Sequence, residues 1–477
     1  MKLNRRHFIA ASASGLAAPM LSRPAIAAIA GAPLPIPDIL EPGSGGDMLE
    51  AIPGNAAILD GAETRTFGYS QAHMGPTLRL TRGRPAKVTL KNRLPFAVTG
   101  HWHGAHIDAA FDGGPQTAIA TGEAREVDLT LDQPATTLWY HSHTHGITAE
   151  QVYGGLSGLI IVDDPGAAEP LPNRYGIDDL PLIIQDRAFQ DDGFLAYSKA
   201  GMFTMHGFRG DRVMVNGAIA PQAAVPQGLV RLRLLNGSNA RFYDLRFSDG
   251  RSFHQIGTDG GLLPAPYERQ QYYLLPAERI EILVDFSDGT PVSLVSGPDP
   301  TAPGMMGGTP PPQSQRGARG TFDIVDFRPD AAIPGNGLAL PESFASAPAE
   351  PTAEPVRRRE IRLDMNGPGG FGINGKPYAM DRIDLRLNAG ETELWHVTAP
   401  MMVHPFHIHA CSFRVVSRKG EPVPWHLSGM KDVALINGET ELLVQVNNRG
   451  TDDLPFMYHC HVLEHEDAGM MGQFTCG

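Results

Sequence analysis

Short segments in which polar and apolar residues alternate recur along the chain, and they constrain its fold most strongly. They occur at 85–92, 229–236 and 383–388. A period of two puts successive side chains on opposite faces of a strand, so each segment is typical of an antiparallel strand with one face buried and one in water. Gly and Pro are abundant, charged residues make up only 19% of the chain, and helical periodicity is scarce. The sequence therefore predicts an all-β protein built from antiparallel sandwiches.

A weak internal repeat divides the 477 residues into three units. Two Asn-Gly turn signals, at 216–217 and 374–375, each open a segment that leads within about 25 residues, a normal sandwich spacing, to another alternating stretch. Composition shifts mark the ends of the units. The predicted units are 45–165, 175–327 and 359–477, with a Pro-rich linker at 328–358 between the last two.

The N-terminus is predicted to be an export signal. Arg5-Arg6-His7-Phe8-Ile9 is a twin-arginine pattern, and Ala-x-Ala cleavage sites follow at 25–27 and 28–30. The apolar stretch between them is too short to span a bilayer, and no later segment is long and apolar enough to do so. We therefore expect residues 1–30 to be a twin-arginine signal peptide, recognised by the twin-arginine export machinery, and the mature protein to work in the periplasm.

Charge and cysteine content exclude two broad classes. The formal net charge is −13, which repels nucleic acid phosphates and disfavours DNA or RNA binding. There are only three cysteines, Cys411, Cys460 and Cys476, so the chain is not a disulfide scaffold. Cys411 and Cys476 are compatible with a disulfide in an oxidising compartment, but their spacing leaves the pairing open.

Four histidine clusters carry the chemistry. They are His101-Trp102-His103-Gly104, His141-Ser142-His143, His404-Pro405-Phe406-His407-Ile408-His409, and His459-Cys460-His461 followed by His465 and Met470. Each His-x-His pair places two imidazoles on the same face of a strand. An imidazole is costly to bury without a partner, so ten at these positions predict metal binding.

A thiolate narrows the choice of metal. Cys460, His404 and His465 supply one sulfur and two imidazoles, and Met470 offers a weak axial donor. This donor set is typical of a blue-copper electron-transfer site, whereas zinc would prefer more thiolates or a tighter tetrahedral set.

The residues on either side of Cys460 suggest where its electrons go. Because alternate residues of a strand point to opposite faces, His459 and His461 should face away from the first copper and towards a second metal cluster. The backbone between them would give electrons a covalent path. Such an arrangement suits a protein that collects single electrons and uses several at once.

Taken together, the four motifs resemble those of the multicopper oxidases, over about residues 45–477. Within that family the chain is most similar to the bacterial periplasmic copper-efflux (cuprous) oxidases, which are laccase-like. Segments 232–237, 259–264 and 465–471 also match that group. The resemblance implies three cupredoxin-like Greek-key β-sandwich domains. The first and third would supply copper ligands, and the middle one would be a metal-free spacer.

The resemblance also implies a role for each ligand. The implied sets are His404, Cys460, His465 and Met470 for the type 1 copper; His101 and His407 for the type 2 copper; and His103, His141 and His461 for one type 3 copper, with His143, His409 and His459 for the other. The trinuclear cluster would lie between the first and third domains. Asp112 and Glu466 match acids near the cluster, and they are expected to supply protons for reducing dioxygen to water.

The substrate is where the chain departs from the family pattern. Cu(I)-preferring efflux oxidases carry a methionine-rich insert before the third domain, but residues 328–370 contain one methionine, Met365. Pro400 stands where those enzymes have an acid, two residues before Met402. Without the insert, we expect the type 1 site to be open to larger organic molecules. Met402, Met305 and Met306 are candidate ligands for substrate copper, and the sequence leaves open whether they bind it.

Three interpretations of function follow. Two are enzymatic: oxidation of Cu(I) as a defence against copper, and laccase-like oxidation of phenols or aryl amines, both with dioxygen as acceptor. The third is a non-catalytic cupredoxin-repeat protein of the cell envelope, like the cell-division relatives of the family, which have lost their copper ligands. All twelve ligand positions are filled here, which favours the enzymes. We expect a monomer.

Overall fold

The structure is a computed structural model that describes residues 31–167, 169–301, 319–365 and 370–477. The predicted signal peptide, together with Met305 and Met306, lies outside the described residues. Described strands far outnumber described helices, and they lie in five sheets. The prediction of an all-β sandwich protein is confirmed.

Two sheets of the first unit face each other across a shared apolar core. Leu49 and Val88 of one sheet belong to the same buried cluster as Leu138 and Ile160 of the other. Strand Lys87–Asn92 alternates between buried and half-buried residues, as its sequence predicts. In spatial order the sheets are Ala62–Tyr69, Asp47–Leu59, Lys87–Asn92 and Ala124–Asp128, and then Ile39–Leu40, Thr77–Thr81, Ser157–Asp163, Thr136–Ser142 and Gly100–His103.

The middle unit repeats this arrangement with larger sheets. Leu182 and Leu232 of one sheet share a buried cluster with Leu245 and Leu294 of the other. In spatial order the sheets are Ala218–Ile219, Arg212–Val215, Asp179–Arg187, Leu229–Asn236, Arg279–Asp285, Phe253–Thr258 and Gly261–Arg269, and then Gln222–Val225, Phe322–Pro329, Val292–Gly297, Tyr243–Phe247 and Tyr272–Leu274.

One ten-stranded sheet forms the last unit and encloses its core, which includes Trp395, Phe406 and Phe474. Its main path is Leu385–Leu387, Met471–Cys476, Phe456–Cys460, Thr392–Ile408, Val433–Gln445, Phe413–Arg418 and Glu421–Pro422, and its branches are Arg357–Met365, Phe371–Ile373 and Met430–Lys431. Residues 330–356, all of them described, contain neither helix nor strand, which agrees with a linker. The unit boundaries themselves stay predictions.

The described helices are short, and several lie beside the histidine clusters. They are Ala109–Asp112, Thr148–Gly154, Met202–His206, Trp425–Ser428 and Leu463–Asp467, with a 3₁₀ turn at Pro115–Thr117. Among the described residues, no helix combines the length and apolarity needed to cross a bilayer.

Strand Leu229–Asn236 differs from its prediction. The alternating sequence predicted one face in water, yet all eight residues are buried. Its polar side chains are paired instead: Arg231 Nε lies 2.8 Å from Glu281 Oε2, and Arg233 contacts both oxygens of Asp179 at 2.7 and 2.9 Å. Thr137 of the first unit donates to Glu281 at 2.6 Å. The polar face is therefore an interface between units, which alternation alone does not distinguish from a solvated face.

Glu281→Ala should destabilise the protein strongly. Glu281 faces both Arg231 and Arg233, so its removal leaves two buried guanidinium groups with one partner fewer. Breaking a buried pair from one side costs about 3–5 kcal/mol. Urea unfolding should show this loss, whereas Glu268→Ala on an exposed position of the same unit should change stability by less than about 0.5 kcal/mol. An equal effect of the two substitutions would contradict this account of the interface.

Candidate metal centre

Antiparallel pairing of strands brings the His-x-His motifs together. His101 lies opposite His141 where Gly100–His103 pairs with Thr136–Ser142. His407 lies opposite His459 where Thr392–Ile408 pairs with Phe456–Cys460. All ten motif histidines are buried. The four motifs therefore meet inside the molecule rather than on its surface.

Eight of these imidazoles form one cluster between the first and last units. His101 stacks on His409 with ring centroids 3.9 Å apart, and His103 stacks on His407 at 3.7 Å, so residues of the two units alternate within it. The eight are His101, His103, His141, His143, His407, His409, His459 and His461. These are the eight residues for which the family resemblance implies a role in a trinuclear cluster.

Nitrogen atoms converge within this eight-histidine cluster. His459 Nε2 lies 3.2 Å from His409 Nε2 and 3.4 Å from His143 Nε2. The rings of His103, His141 and His461 form a second group, with centroids 5.1–5.8 Å apart. The ligand atoms of His143, His409 and His459 lie within 4.8 Å of one another, as do those of His101, His103 and His141. The type 3 ligand sets implied by the family resemblance stay predictions. The type 2 pair, His101 and His407, has centroids 5.8 Å apart.

Many of the converging nitrogens have no hydrogen-bond partner among the described residues. These buried atoms are Nε2 of His101, His141 and His407, Nδ1 of His103, and both ring nitrogens of His461. A buried polar atom without a partner costs about 1–3 kcal/mol, so a cluster of them indicates that a ligand belongs there. Metal ions accept lone pairs from such atoms, and this donor set fits copper.

Hydrogen bonds at the opposite ring edges orient several of these imidazoles. His101 Nδ1 donates to the carbonyl of Asp112 at 2.8 Å, and His407 Nδ1 donates to the carbonyl of Asp432 at 2.8 Å. Fixing a proton on one nitrogen leaves the other as a lone-pair donor. Burial also lowers the pKa of His407 to about 3, so its ring is neutral at physiological pH, as a metal ligand must be.

A separate group surrounds Cys460. Its sulfur lies 3.3 Å from His404 Nδ1 and 3.5 Å from His465 Nδ1. Met470 is fully buried, and its carbonyl accepts the Cys460 N–H at 3.1 Å. Burial raises the pKa of the Cys460 thiol and lowers the pKa of His404 to about 4. A bound cation would be needed to hold this sulfur as a thiolate.

The backbone at Cys460 connects the two groups. Its sulfur points to His404 and His465, while the adjacent His459 points to the eight-histidine cluster. This is the alternation expected for a strand. Both groups thus share one short segment of chain.

Two buried carboxylates contact the eight-histidine cluster. Asp112 Oδ2 accepts from His409 Nδ1 at 2.7 Å, whereas its Oδ1 lies 3.6 Å from His101 Nδ1 and makes no hydrogen bond among the described residues. Glu466 Oε2 lies 3.2 Å from His459 Nδ1, and its Oε1 lies 3.7 Å from His143 Nδ1. Burial raises the pKa of both carboxyls. Each acid is therefore in contact with the cluster and disposed to hold a proton.

Comparison with known proteins decides the family. Residues 51–167 and 347–477 match two family models, each described as multicopper oxidase. A protein named multicopper oxidase mco, from Staphylococcus haemolyticus, is 35% identical over 435 residues, which cover 89% of this chain and 87% of that protein. The chain belongs to the multicopper oxidase family.

Two further relatives have names that indicate different functions, one in cell division and one as an oxidase. Cell division protein FtsP of Salmonella typhimurium is 36% identical over 477 residues, covering 99% of this chain and 98% of that protein. The structure of a bacterial laccase-like multi-copper oxidase, CueO from Ochrobactrum sp., matches with a TM-score of 0.85 and 38% identity, covering 93% of this chain and 100% of that one. The predicted cupredoxin-like fold is confirmed by this match.

The type 1 group is less open than the sequence suggested. We expected the missing insert to open it to larger organic molecules, yet the side chains of His404 and His465 are fully buried. His404 Nε2 donates to the carbonyl of Met401 at 3.0 Å, and His465 Nε2 donates to the carbonyl of Met205 at 3.1 Å. Helix Met202–His206 of the middle unit thus covers a site that we had expected to be exposed.

Sequence reasoning missed other contacts of the centre. Two motif histidines have such partners: His103 bonds to Asp432, and His465 bonds to Met205. Arg279 in turn bonds to Asp432. None of these three partners lies in a recognisable motif. Cys411 and Cys476 are free and buried, as is Cys460. The remaining histidines that are described, such as His106, which bonds to Ser412, belong to none of the metal-ligand groups of the described residues.

Proposed function

We propose that this chain is an active multicopper oxidase. It would couple one-electron oxidation of a reductant at a type 1 copper to reduction of dioxygen to water at a trinuclear copper cluster. The observation that carries the proposal is the set of buried ring nitrogens without partners, eight imidazoles in one cluster beside a sulfur-centred group. No purely structural role explains so many unpaired buried donors.

The ligand assignments of the proposal follow the sequence expectation. His404, Cys460, His465 and Met470 hold the type 1 copper; His101 and His407 hold the type 2 copper; His103, His141 and His461 hold one type 3 copper, and His143, His409 and His459 hold the other. When bound, copper supplies the one-electron chemistry at Cys460 and the dioxygen chemistry at the eight imidazoles. The protein's part is to exclude water, fix the ring tautomers and keep the two centres one residue apart.

Asp112 and Glu466 act as proton donors in this proposal. Reduction of dioxygen to water consumes protons, and both carboxyls are buried within hydrogen-bond reach of cluster histidines. Because burial raises the pKa of each, the protonated form is available to give up a proton inside the protein. Asp112 Oδ1, which has no partner among the described residues, is the atom that would carry it.

Cu(I) is the reductant that the type 1 surroundings favour. Both imidazoles of this group are buried, so a bulky ring cannot stack directly on them. Their outer nitrogens donate to the backbone carbonyls of Met401 and Met205, and the side chain of Met401, next to that contact, is 56% exposed. Thioethers are soft donors that select Cu(I). A small ion delivered by methionine therefore fits this site better than a large organic molecule.

Phenols and aryl amines are the second candidate class. The laccase-like CueO of Ochrobactrum sp., 38% identical, has oxidase activity towards lignin model compounds and lignosulfonate. That activity belongs to the relative, and it motivates a direct comparison here. Steady-state kcat/KM should be measured for Cu(I) and for a bulky phenol, each with and without added Cu(II).

We expect a higher kcat/KM for Cu(I) than for the phenol. Met401→Leu should lower the value for Cu(I) by about tenfold, a change of about 1.4 kcal/mol in transition-state binding, and leave the phenol value unchanged. Met48→Leu is the matched control, because Met48 is similarly exposed but lies in the first unit. A preference for the phenol that added Cu(II) does not alter would contradict the Cu(I) proposal.

A non-catalytic envelope protein is the competing function, and the FtsP relatives supply its support. They are 36% identical over nearly the whole chain and are named for cell division. The complete set of copper-ligand residues in this chain argues against a non-catalytic function. A copper-loaded protein that shows no oxidase turnover with either reductant would favour the competing function.

Export completes the proposal. Residues 1–30 would direct the folded protein through the twin-arginine machinery to the periplasm, where it would work as a monomer. The compartment suits a copper-handling oxidase, because Cu(I) and dioxygen would meet there outside the cytoplasm. Replacement of Arg5 and Arg6 by lysine should retain the protein in the cytoplasm, which fractionation detects.

A further inference from the structure

Asp432 orients two histidines of the cluster at once. Its Oδ1 accepts from His103 Nε2 at 3.2 Å, and its backbone carbonyl accepts from His407 Nδ1 at 2.8 Å. The opposite nitrogens, His103 Nδ1 and His407 Nε2, are the ones left without partners for a metal. Asp432 thus determines which nitrogen of each ring is presented to the cluster.

Arg279 of the middle unit holds Asp432 in place. Its two terminal nitrogens contact the two carboxylate oxygens at 2.6 Å each, a bidentate arrangement with little freedom to rotate. Arg279 Nε donates to the carbonyl of Thr137 in the first unit at 3.0 Å. Both side chains of the pair are fully buried. One guanidinium therefore links all three units at the cluster.

Asp259 strengthens the same link from the middle unit. Its Oδ1 accepts the backbone N–H of Arg279 at 2.8 Å, and its Oδ2 lies 2.9 Å from Lys431 Nζ. The Oδ2 atom also accepts the backbone N–H groups of Asp432 and Val433 at 3.3 Å. The segment that carries Asp432 is thus held by its backbone as well as by its side chain.

Gly104 packs directly against the Arg279–Asp432 pair, and it leaves no room there for a side chain. It has φ +86, and a Cβ at this position would lie 2.5 Å from Asp432 Oδ2 and 2.7 Å from Arg279 Nη2. Any larger residue would push the pair away. The glycine of the His-Trp-His-Gly motif is therefore explained by the pair that packs against it, as well as by its backbone conformation.

We propose that Arg279 is a positioning residue for the trinuclear centre, acting through Asp432 on His103 and His407. The middle unit, expected from the sequence to be a metal-free spacer, then controls the geometry of the copper cluster without supplying a ligand. This inference rests on the proposed function, since it concerns the same cluster. It gives Arg279, and with it the middle unit, a role at the copper cluster. Neither the sequence motifs nor the family resemblance assigned such a role.

Arg279→Lys tests the proposal, because lysine keeps the charge but cannot make the bidentate contact. The copper-loaded, dialysed variant should keep the blue absorbance of the type 1 site. Its affinity for trinuclear copper should fall by about 10–100-fold, the usual effect of losing a residue that orients a metal ligand. The readouts are copper per chain and the type 2 electron paramagnetic resonance signal. The kcat should fall while KM for the reductant stays unchanged.

Arg241→Lys is the matched control. Arg241 is a buried arginine of the same unit that contacts Asp186 at 2.9 Å, and neither residue contacts a histidine of the cluster. Its substitution should leave the type 2 signal and copper content at wild-type levels. A change of the same size in Arg241→Lys would show that any buried arginine has this effect, and the inference would be overturned.

The decisive contrary result is Arg279→Lys with wild-type copper content and an unaltered type 2 signal. Loss of the blue absorbance as well would mean that the Arg279→Lys variant has not folded. Asp432→Asn is then used as the test variant instead. Asparagine has nearly the same volume but cannot accept both guanidinium nitrogens, so the same selective loss is expected and its absence would refute the inference. Wild-type protein that binds no copper would instead refute the proposed function, so the two failures are distinguishable.

Discussion

Cys460→Ser should abolish the blue colour and the oxidase turnover that we propose, while leaving the fold intact. The substitution exchanges a single atom at a fully buried position, and the Cys460 N–H that bonds to Met470 is unaffected. The lost sulfur is the atom 3.3 Å from His404 Nδ1 and 3.5 Å from His465 Nδ1. Without a thiolate the site no longer has a blue-copper donor set. Electrons from the reductant then have no entry point to the cluster.

Visible absorbance and steady-state dioxygen consumption measure this effect, and circular dichroism of the metal-free forms reports the fold. Cys476→Ser is the matched control, because Cys476 is equally buried in the same unit, its sulfur donates to the carbonyl of Val446, and it belongs to none of the metal-ligand groups of the described residues. That control should keep both colour and turnover. Blue absorbance in Cys460→Ser would show that another residue ligates the copper.

Asp112→Asn should lower kcat by on the order of 100-fold or more, the usual contribution of a general acid. Asparagine can still accept from His409 Nδ1, and the backbone carbonyl that accepts from His101 Nδ1 is unchanged. The histidines therefore keep their orientation, but the proton on residue 112 is lost. The KM for the reductant should not change, because the reductant reacts at the Cys460 group.

Copper content separates this explanation from a positioning role. The Asp112→Asn variant should bind as much copper as the wild type, with the same type 2 signal. Asp178→Asn is the control, since Asp178 is fully buried but bonds to Arg174, away from the histidines. Wild-type turnover in Asp112→Asn, or loss of its type 2 copper, would count against a proton-donating role.

Strand geometry explains why the motif histidines lie together, whereas the copper that each of them binds stays a prediction. A His-x-His pair on a strand has both rings on one face, so four such motifs already limit how the rings can be combined. The same alternation predicted that Cys460 and His459 face opposite groups, which the structure shows. The all-β fold followed for a related reason, since a period of two is not compatible with a helix.

Contacts between units could not be predicted in this way. Arg279 and Asp432 are 153 residues apart, and no local pattern relates them. Arg231 and Arg233 look like the solvated side of a strand, and only the packing of the first unit on the second reveals that they are buried. The cover over His465 comes from helix Met202–His206, whose five residues are too few for a periodic signal. In each case the missing information is how the units pack.

The same limit applies to the substrate. The absence of a methionine-rich insert suggested an open type 1 site, but the middle unit supplies a cover of its own through Met205. Exposure of a site depends on every segment that packs around it, so the loss of one segment does not settle it. For this reason we propose a small reductant rather than a bulky phenol.

Copper binding by the mature protein is the most direct test of the account. Residues 31–477, loaded with copper and dialysed, should retain four copper ions per chain. They should show the blue absorbance of a cysteine-bound copper together with a type 2 electron paramagnetic resonance signal. Zinc at Cys460 or a chain without bound copper would contradict the account, because the unpaired nitrogens of the cluster would then serve some other ligand.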